Sequence, residues 1–174
     1  MATASFFGGA RRSSSSEIVL LGQAAGLGLV TGMRSMLGVR ILASSARRGA
    51  FDGQSGSFWR ALRSPTAQRV MSVLAGGELL LDKLPSAPSR LSRGPLSGRL
   101  VIGALLGAAV GAQSPEKNLR VAGAVVGAVA AALGALAGNR ARAWMNRGTR
   151  VPAPVGAMIE DAIAFGLGAV IARR

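Results

Sequence analysis

The residues with the greatest chemical potential are acids that lie within apolar sequence. Glu78 and Asp82 lie in GGELLLDKLP, and Glu160 and Asp161 lie in PVGAMIEDAIAFGLG. The chain has only seven acids, so these four are more than half of its carboxylates. A charge at the centre of a bilayer costs at least ~2.5 to 3.5 kcal/mol, which drives such groups toward a bundle interior or a watery cavity. We therefore expect all four to lie inside the protein.

Arg34 is the natural counter-charge, because it is the only base placed well inside an apolar stretch. Glu78 and Asp82 are four residues apart and share one face of a helix. Carboxylate pairs near one arginine could bind a cation, relay protons or hold an anionic substrate. The alternative, weighted equally, is a set of buried arginine–carboxylate pairs that fix helix register without adding much net stability.

The chain contains no cysteine and no histidine, which removes many activities. Zinc sites built on these residues, haem ligation by histidine, Ser-His-Asp triads and thiol nucleophiles are all excluded. No spacing of oxygen ligands is diagnostic of a metal site. The sequence therefore predicts no enzyme, no metal and no cofactor.

The composition is typical of a membrane protein. The chain has 174 residues, which suits one domain. It is 49% hydrophobic but only 16% charged, below the roughly 25% of soluble domains. A soluble Ala/Gly-rich bundle is the alternative, but it would need charges along its helices. No charge falls between Arg99 and Glu116 or between Arg120 and Arg140.

Five hydrophobic segments are predicted as helices of an all-α, polytopic membrane bundle. A complete span must cross a hydrocarbon core about 30 Å thick, and an incomplete second or third span is the alternative. The five segments cover residues 18–42, 67–84, 98–113, 119–138 and 154–172. Residues 1–17 are predicted to be a disordered tail, with an organellar transit-like segment as the alternative. Residues 18–174 form the single transmembrane domain, with a polar connection over 45–66 in which Trp59 would lie at headgroup depth.

Glycines recur every four residues and put smooth stripes on single helix faces. Such stripes predict close helix packing, either within the chain, in self-association or against a partner membrane protein. The candidate packing residues are Gly28, Gly32, Gly103, Gly107, Gly111, Gly123, Gly127, Gly134 and Gly138.

Two segments share the pattern G-x-x-x-G-x-R, namely GLVTGMRS at 28–35 and GALAGNRA at 134–141. With five spans, the first and fourth segments run in opposite directions. The halves would then form an inverted repeat, an architecture common among transporters, with the site near the midplane.

The net charge is +14, from 21 basic and seven acidic residues. The basic residues fall between the apolar segments, where they would meet anionic lipid headgroups. This distribution argues against nucleic-acid binding. On the five-span count ten bases lie on each side, so the positive-inside rule does not choose an orientation. A cytoplasmic N-terminus is slightly favoured.

The run E-L-x-x-D-K-L-P-x-x-P-x-R carries a likeness to a known family. Its residues here are Glu78, Leu79, Asp82, Lys83, Leu84, Pro85, Pro88 and Arg90. With the segments around it, over roughly 18–172, the chain resembles a bacterial membrane-protein family known only as domain of unknown function four-one-two-six. The resemblance implies a small multi-span protein and brings no accepted activity or cofactor. It favours a bacterial inner membrane, with an organellar membrane as the alternative.

The sequence thus predicts a small channel or secondary transporter. Arg34, Glu78, Asp82, Glu160 and Asp161 would line its polar path. The alternative function is a structural or accessory membrane protein that packs against partner helices through its glycine stripes.

Overall fold

The fold is a helical bundle. A computed structural model describes residues 4–81, 92–148, 162–164 and 166–168. No strand occurs within these ranges, so the predicted all-α class is confirmed. The helices are α1 (Ala4–Met33), α2 (Ser35–Arg47), α3 (Ser57–Arg63), α4 (Pro65–Leu81), α5 (Arg93–Gly111) and α6 (Lys117–Gly148).

Three helical stretches are long and apolar enough to cross a membrane: Ser15–Met33, Arg93–Gly111 and Lys117–Ala141. They correspond to the first, third and fourth predicted segments. At ~1.5 Å per residue, the 13 residues of α2 and 17 of α4 measure roughly 20 and 26 Å, short of the hydrocarbon thickness. Most of the fifth predicted segment lies outside the described residues.

Helix α1 begins upstream of the apolar sequence. It includes residues 4–17, which the sequence predicted as a disordered tail. No proline occurs before Pro65, so nothing in the backbone chemistry stops a helix from extending toward the N-terminus once the apolar part has formed.

Helices α1, α5 and α6 pack against one another through glycines. Gly28 lies against Gly127 and Gly32 against Ala131, so α1 and α6 run in the same direction. Gly103 lies against Gly127, whereas Gly111 lies against Leu119. Helix α5 is therefore antiparallel to α6, as the short turn between them requires.

The chain reverses at Arg34, and this corrects the first predicted span. Arg34 has extended backbone angles (φ −143°, ψ 103°) between α1 and α2. Gly38 then lies against the side chains of Thr31 and Leu106, so α2 runs back alongside α1. The segment 18–42 is thus two antiparallel helices rather than one. The sequence prediction missed the break because neither proline nor a polar run marks it.

Helix α4 returns antiparallel to α2. Gln68 Nε2 donates a hydrogen bond to the Ala43 carbonyl oxygen (2.7 Å), and Arg40 Nε donates to Ser72 Oγ (2.8 Å). Between these helices, Gln54 Nε2 donates to the Ala112 carbonyl oxygen (2.9 Å), which places the connection beside the end of α5. The polar connection predicted over 45–66 is therefore partly helical and fixed to the bundle.

A buried aromatic pair packs inside the connection. The rings of Phe51 and Trp59 stack with centroids 4.7 Å apart, and both residues are buried. Trp59 is 7% exposed and packs within the protein, whereas its neighbour Phe58 is 57% exposed; the depth of Trp59 in a membrane stays a prediction. Arg63 Nε and Nη2 donate to carbonyl oxygens of the connection, which also fixes it to α3.

The parallel arrangement of α1 and α6 contradicts the predicted inverted orientation of the two G-x-x-x-G-x-R segments. Residues 28–35 and 134–141 lie on helices that run in the same direction, as the contacts of Gly28, Gly32 and Gly134 show. The cause is the reversal at Arg34. Helix α2 adds one reversal of chain direction that the five-segment count omitted, and this inverts the direction of the second, third and fourth predicted segments relative to α1.

Candidate functional site

The helices form two groups that meet at a charged junction. Helices α1, α5 and α6 form the glycine-packed group, and α2, α3 and α4 form the second group. The charged junction consists of Arg34, Ser35, Glu78 and Arg99. It lies where α1 gives way to α2, near the end of α4 and the beginning of α5.

Glu78 accepts two hydrogen bonds from the first turn of α2. Its Oε1 accepts from the Ser35 backbone N–H and its Oε2 from the Met36 backbone N–H, both at 2.8 Å. The first N–H groups of a helix have no partner within that helix. The N-cap residue Arg34 gives no side-chain capping bond, so Glu78 on α4 satisfies them instead. A carboxylate at this end also matches the helix dipole, and its bonds are charge-assisted.

Arg99 joins the glycine-packed group to this cap. Its Nε donates to Ser35 Oγ at 3.1 Å, and its Nη2 lies 4.0 Å from Glu78 Oε1. The Arg99 side chain is 5% exposed and that of Glu78 is 14% exposed. One carboxylate therefore connects three helices, α2, α4 and α5, and it does so largely out of contact with the surroundings.

Arg34 occupies the break itself. It is 2% exposed, which makes it one of the largest fully buried side chains among the described residues. Its backbone N–H donates to the Val30 carbonyl oxygen (2.7 Å), which completes α1. The sequence predicted Arg34 as the counter-charge of the carboxylates, and this stays a prediction; among the described residues, Arg99 lies beside Glu78.

The predicted packing glycines lie between helices of this chain. Alanine at Gly28 would bring its Cβ to 2.8 Å from the Ala130 Cβ, and at Gly103 to 2.6 Å from the Gly127 carbonyl oxygen. Backbones therefore touch at these positions. The same holds between α5 and α6 or between α1 and α6 for Gly32, Gly107, Gly111, Gly123, Gly127 and Gly134, and Gly138 is also buried.

A comparison with known families bears on the charged junction, because one match spans every residue of it. The family described as Domain of unknown function (DUF4126) matches residues 21–172. The chain belongs to this family. The resemblance predicted from the E-L-x-x-D-K-L-P run is thereby confirmed. No curated protein and no solved structure matches the chain. Membership in DUF4126 therefore assigns no activity to the junction.

Three predicted site residues of this DUF4126 chain, Asp82, Glu160 and Asp161, lie outside the described residues. The remaining predicted site residues, Arg34 and Glu78, belong to the charged junction, and a position near the membrane midplane stays a prediction. Arg99 is six residues from the start of α5, about 9 Å along a helix axis, and Glu78 is three residues from the end of α4. The charged junction lies toward one end of the bundle.

Arg99 was missed from the sequence because it borders an apolar segment, where basic residues usually mark a loop. A usable signal was present: Arg99 precedes Gly103 by four residues, as Gly103 precedes Gly107. It therefore continues the glycine stripe and must face the bundle interior. Ser35 and Met36 carried no such signal, because they take part through their backbone N–H groups.

The described residues of this DUF4126 chain hold no group of three or more histidine, cysteine or acidic side chains that could bind a metal ion. The chemistry available at the junction is that of guanidinium groups, one carboxylate, one hydroxyl and backbone N–H groups. Groups of these kinds can bind and orient charged solutes.

Proposed function

We propose that this DUF4126 protein is a small membrane channel or secondary transporter in which the charged junction controls a polar path. The observation that carries the proposal is the burial of Arg34 and Arg99, with the Glu78 side chain only 14% exposed beside Arg99, in a bundle with three helices apolar enough to cross a membrane. Ionisable groups placed at such expense inside a membrane bundle commonly mark the path of an ion or solute.

The two helix groups are held differently, which supports a moving part. Contacts between α5 and α6 are backbone to backbone, as at Gly107 and Gly123. Helix α4 meets α2 largely through side-chain hydrogen bonds, such as Arg40 to Ser72. Close-packed backbones resist separation, whereas polar side-chain contacts can exchange partners with water or solute. Helix α4 would rock against α2 and the glycine-packed group.

Glu78 would stabilise the closed state of this motion. While it caps α2 and lies beside Arg99, the donors of the junction are occupied. Withdrawal of α4 would free two backbone N–H groups and one guanidinium for a charged solute. The same groups would return to Glu78 when the solute leaves, so the closed state needs no outside ligand.

The test is solute flux through proteoliposomes made with the full chain. We expect flux of at least one of H⁺, Na⁺, K⁺, Cl⁻ or a small carboxylate above that of protein-free vesicles. Glu78→Gln should change that flux about tenfold, the effect of ~1.4 kcal/mol on a barrier. Glu116→Gln is the matched control, because Glu116 is exposed in the turn between α5 and α6.

Two results would remove the proposal. One is the absence of flux for every solute in the set. The other is equal flux through the Glu78→Gln and wild-type proteins at equal reconstituted amounts, since the junction would then not control the path.

The alternative function, partner binding through glycine stripes, has less support. The faces of Gly28, Gly103 and Gly107 are already filled by helices of the same chain. A partner helix would have to use other faces of the bundle.

A further inference from the structure

A groove opens between the end of α2 and the beginning of α4. Its volume is about 440 Å³, within the range of roughly 300 to 1,000 Å³ that small-molecule sites occupy. Its lining residues are Arg47, Pro65, Gln68, Arg69, Ser72 and Val73. It lies at the opposite end of α2 and α4 from the charged junction.

The groove is rich in uncompensated positive charge. Arg47 and Arg69 are exposed at its rim. Beneath them, Arg40 donates to Ser72 Oγ at 2.8 Å, to Gln68 Oε1 at 3.4 Å and to Ser44 Oγ. These are all neutral oxygens. Over the residues that the structure describes, no carboxylate forms an ion pair with Arg40, Arg47 or Arg69. Arg40 does not line the groove, so the two exposed guanidinium groups of Arg47 and Arg69 are the ones that favour an anion there.

Beside the arginines, α4 exposes a continuous apolar face. Val70, Val73 and Leu74 are 46%, 72% and 46% exposed, and they share one side of the helix. Val73 also lines the groove, so the charged and apolar surfaces adjoin. A soluble anion would match the arginines and leave the valines uncovered. A ligand with a phosphate head and hydrocarbon chains matches both.

We propose that this groove binds one anionic phospholipid. Its phosphate would lie between Arg47 and Arg69, and an acyl chain would lie along Val73. Guanidinium groups suit phosphate because they donate paired, charge-assisted hydrogen bonds. The site is independent of the proposed transport function, since it requires only that α4 faces lipid at this end.

The first test measures binding of short-chain phosphatidylglycerol to the purified full chain in neutral detergent by native mass spectrometry. Arg47→Gln with Arg69→Gln should weaken binding about tenfold, because each arginine near an anionic lipid surface contributes favourable electrostatic binding free energy. Arg48→Gln with Arg60→Gln is the matched control. It removes the same charge from exposed residues of the same end and should bind as the wild type does.

A second pair of variants tests the apolar wall. Val73→Glu puts a carboxylate in the groove and should abolish retention of phosphatidylglycerol. Leu80→Glu, at a residue that is 71% exposed two turns along the same helix, should have little effect. Unchanged helical circular dichroism in all variants establishes that the fold persists.

Competition decides the ligand class. Phosphatidylcholine should bind much more weakly than phosphatidylglycerol, and inorganic phosphate at millimolar concentration should not displace the lipid. Equal binding of both lipids, displacement by inorganic phosphate, or equal losses in the Arg47/Arg69 and Arg48/Arg60 variants would each overturn the proposal.

Discussion

At the scale of single residues, the most informative group is the Glu78 carboxylate. It does the work of an N-cap for a helix that begins 43 positions earlier in the chain, because Arg34 gives α2 no side-chain cap. The sequence indicated that Glu78 was buried, and that much followed from the cost of a charge in an apolar segment. Its backbone partners could not be predicted, because N–H groups carry no sequence signature, whereas Arg99 was overlooked in spite of its place in the glycine stripe because it resembles a loop residue.

Removal of the Glu78 carboxylate should destabilise the fold strongly. Glu78→Ala leaves the Ser35 and Met36 N–H groups and the Arg99 guanidinium without their described acceptor. Loss of one partner of a buried ion pair typically costs about 3 to 5 kcal/mol. Glu78→Gln keeps one oxygen and should cost less. Thermal unfolding in detergent, followed by circular dichroism, measures both; a Glu78→Ala midpoint equal to that of exposed Glu116→Ala would contradict this role.

At the scale of helices, the glycine spacing is the sequence feature that corresponds most closely to the observed helix contacts. The spacing of Gly103, Gly107 and Gly111 predicted one smooth face, and the structure places that face against Gly123 and Gly127 of α6. What spacing could not say is which helix would fill the stripe. Apolar periodicity also gave no sign of the break at Arg34, since no proline lies near it and apolar residues continue on both sides of it. Gly38, where α2 passes Thr31, was the overlooked signal.

Gly107→Ala should therefore be costly in spite of the better helix propensity of alanine. Its Cβ would lie 2.8 Å from the Gly123 carbonyl carbon and 3.2 Å from the Gly127 Cα, so two backbones must move apart. Overpacking of this kind costs about 1 to 3 kcal/mol. Gly98→Ala on the same helix meets no atom within 4 Å and should be neutral or stabilising. Unfolding midpoints in one detergent compare the two; similar midpoints would argue against backbone contact between α5 and α6.

At the scale of the whole molecule, the reversal at Arg34 decides which ends of the helices lie together. The groove formed by Ser15, Glu17, Gln113 and Glu116 brings the beginning of the first apolar stretch to the turn between α5 and α6. The sequence prediction placed these segments on opposite sides of the membrane. The all-α class and three apolar helices were predictable from the sequence, but the direction of each helix was not, because one break at Arg34 inverts the directions of α4, α5 and α6.

This arrangement predicts the sidedness of single cysteines, and the absence of native cysteine makes the measurement direct. Ser15→Cys and Asn118→Cys should react with a membrane-impermeant maleimide from one side, and Arg93→Cys from the other. Within the described chain, bases such as Arg47, Arg48 and Arg120 gather at the end shared by residues 15 and 118, which favours the cytoplasm for that side. The Ser15→Cys and Asn118→Cys variants should then react with the maleimide in inverted vesicles. If the Ser15→Cys and Arg93→Cys variants react from the same side, residues 18–42 cross the membrane unbroken. Glu78 then cannot cap α2 as the structure shows.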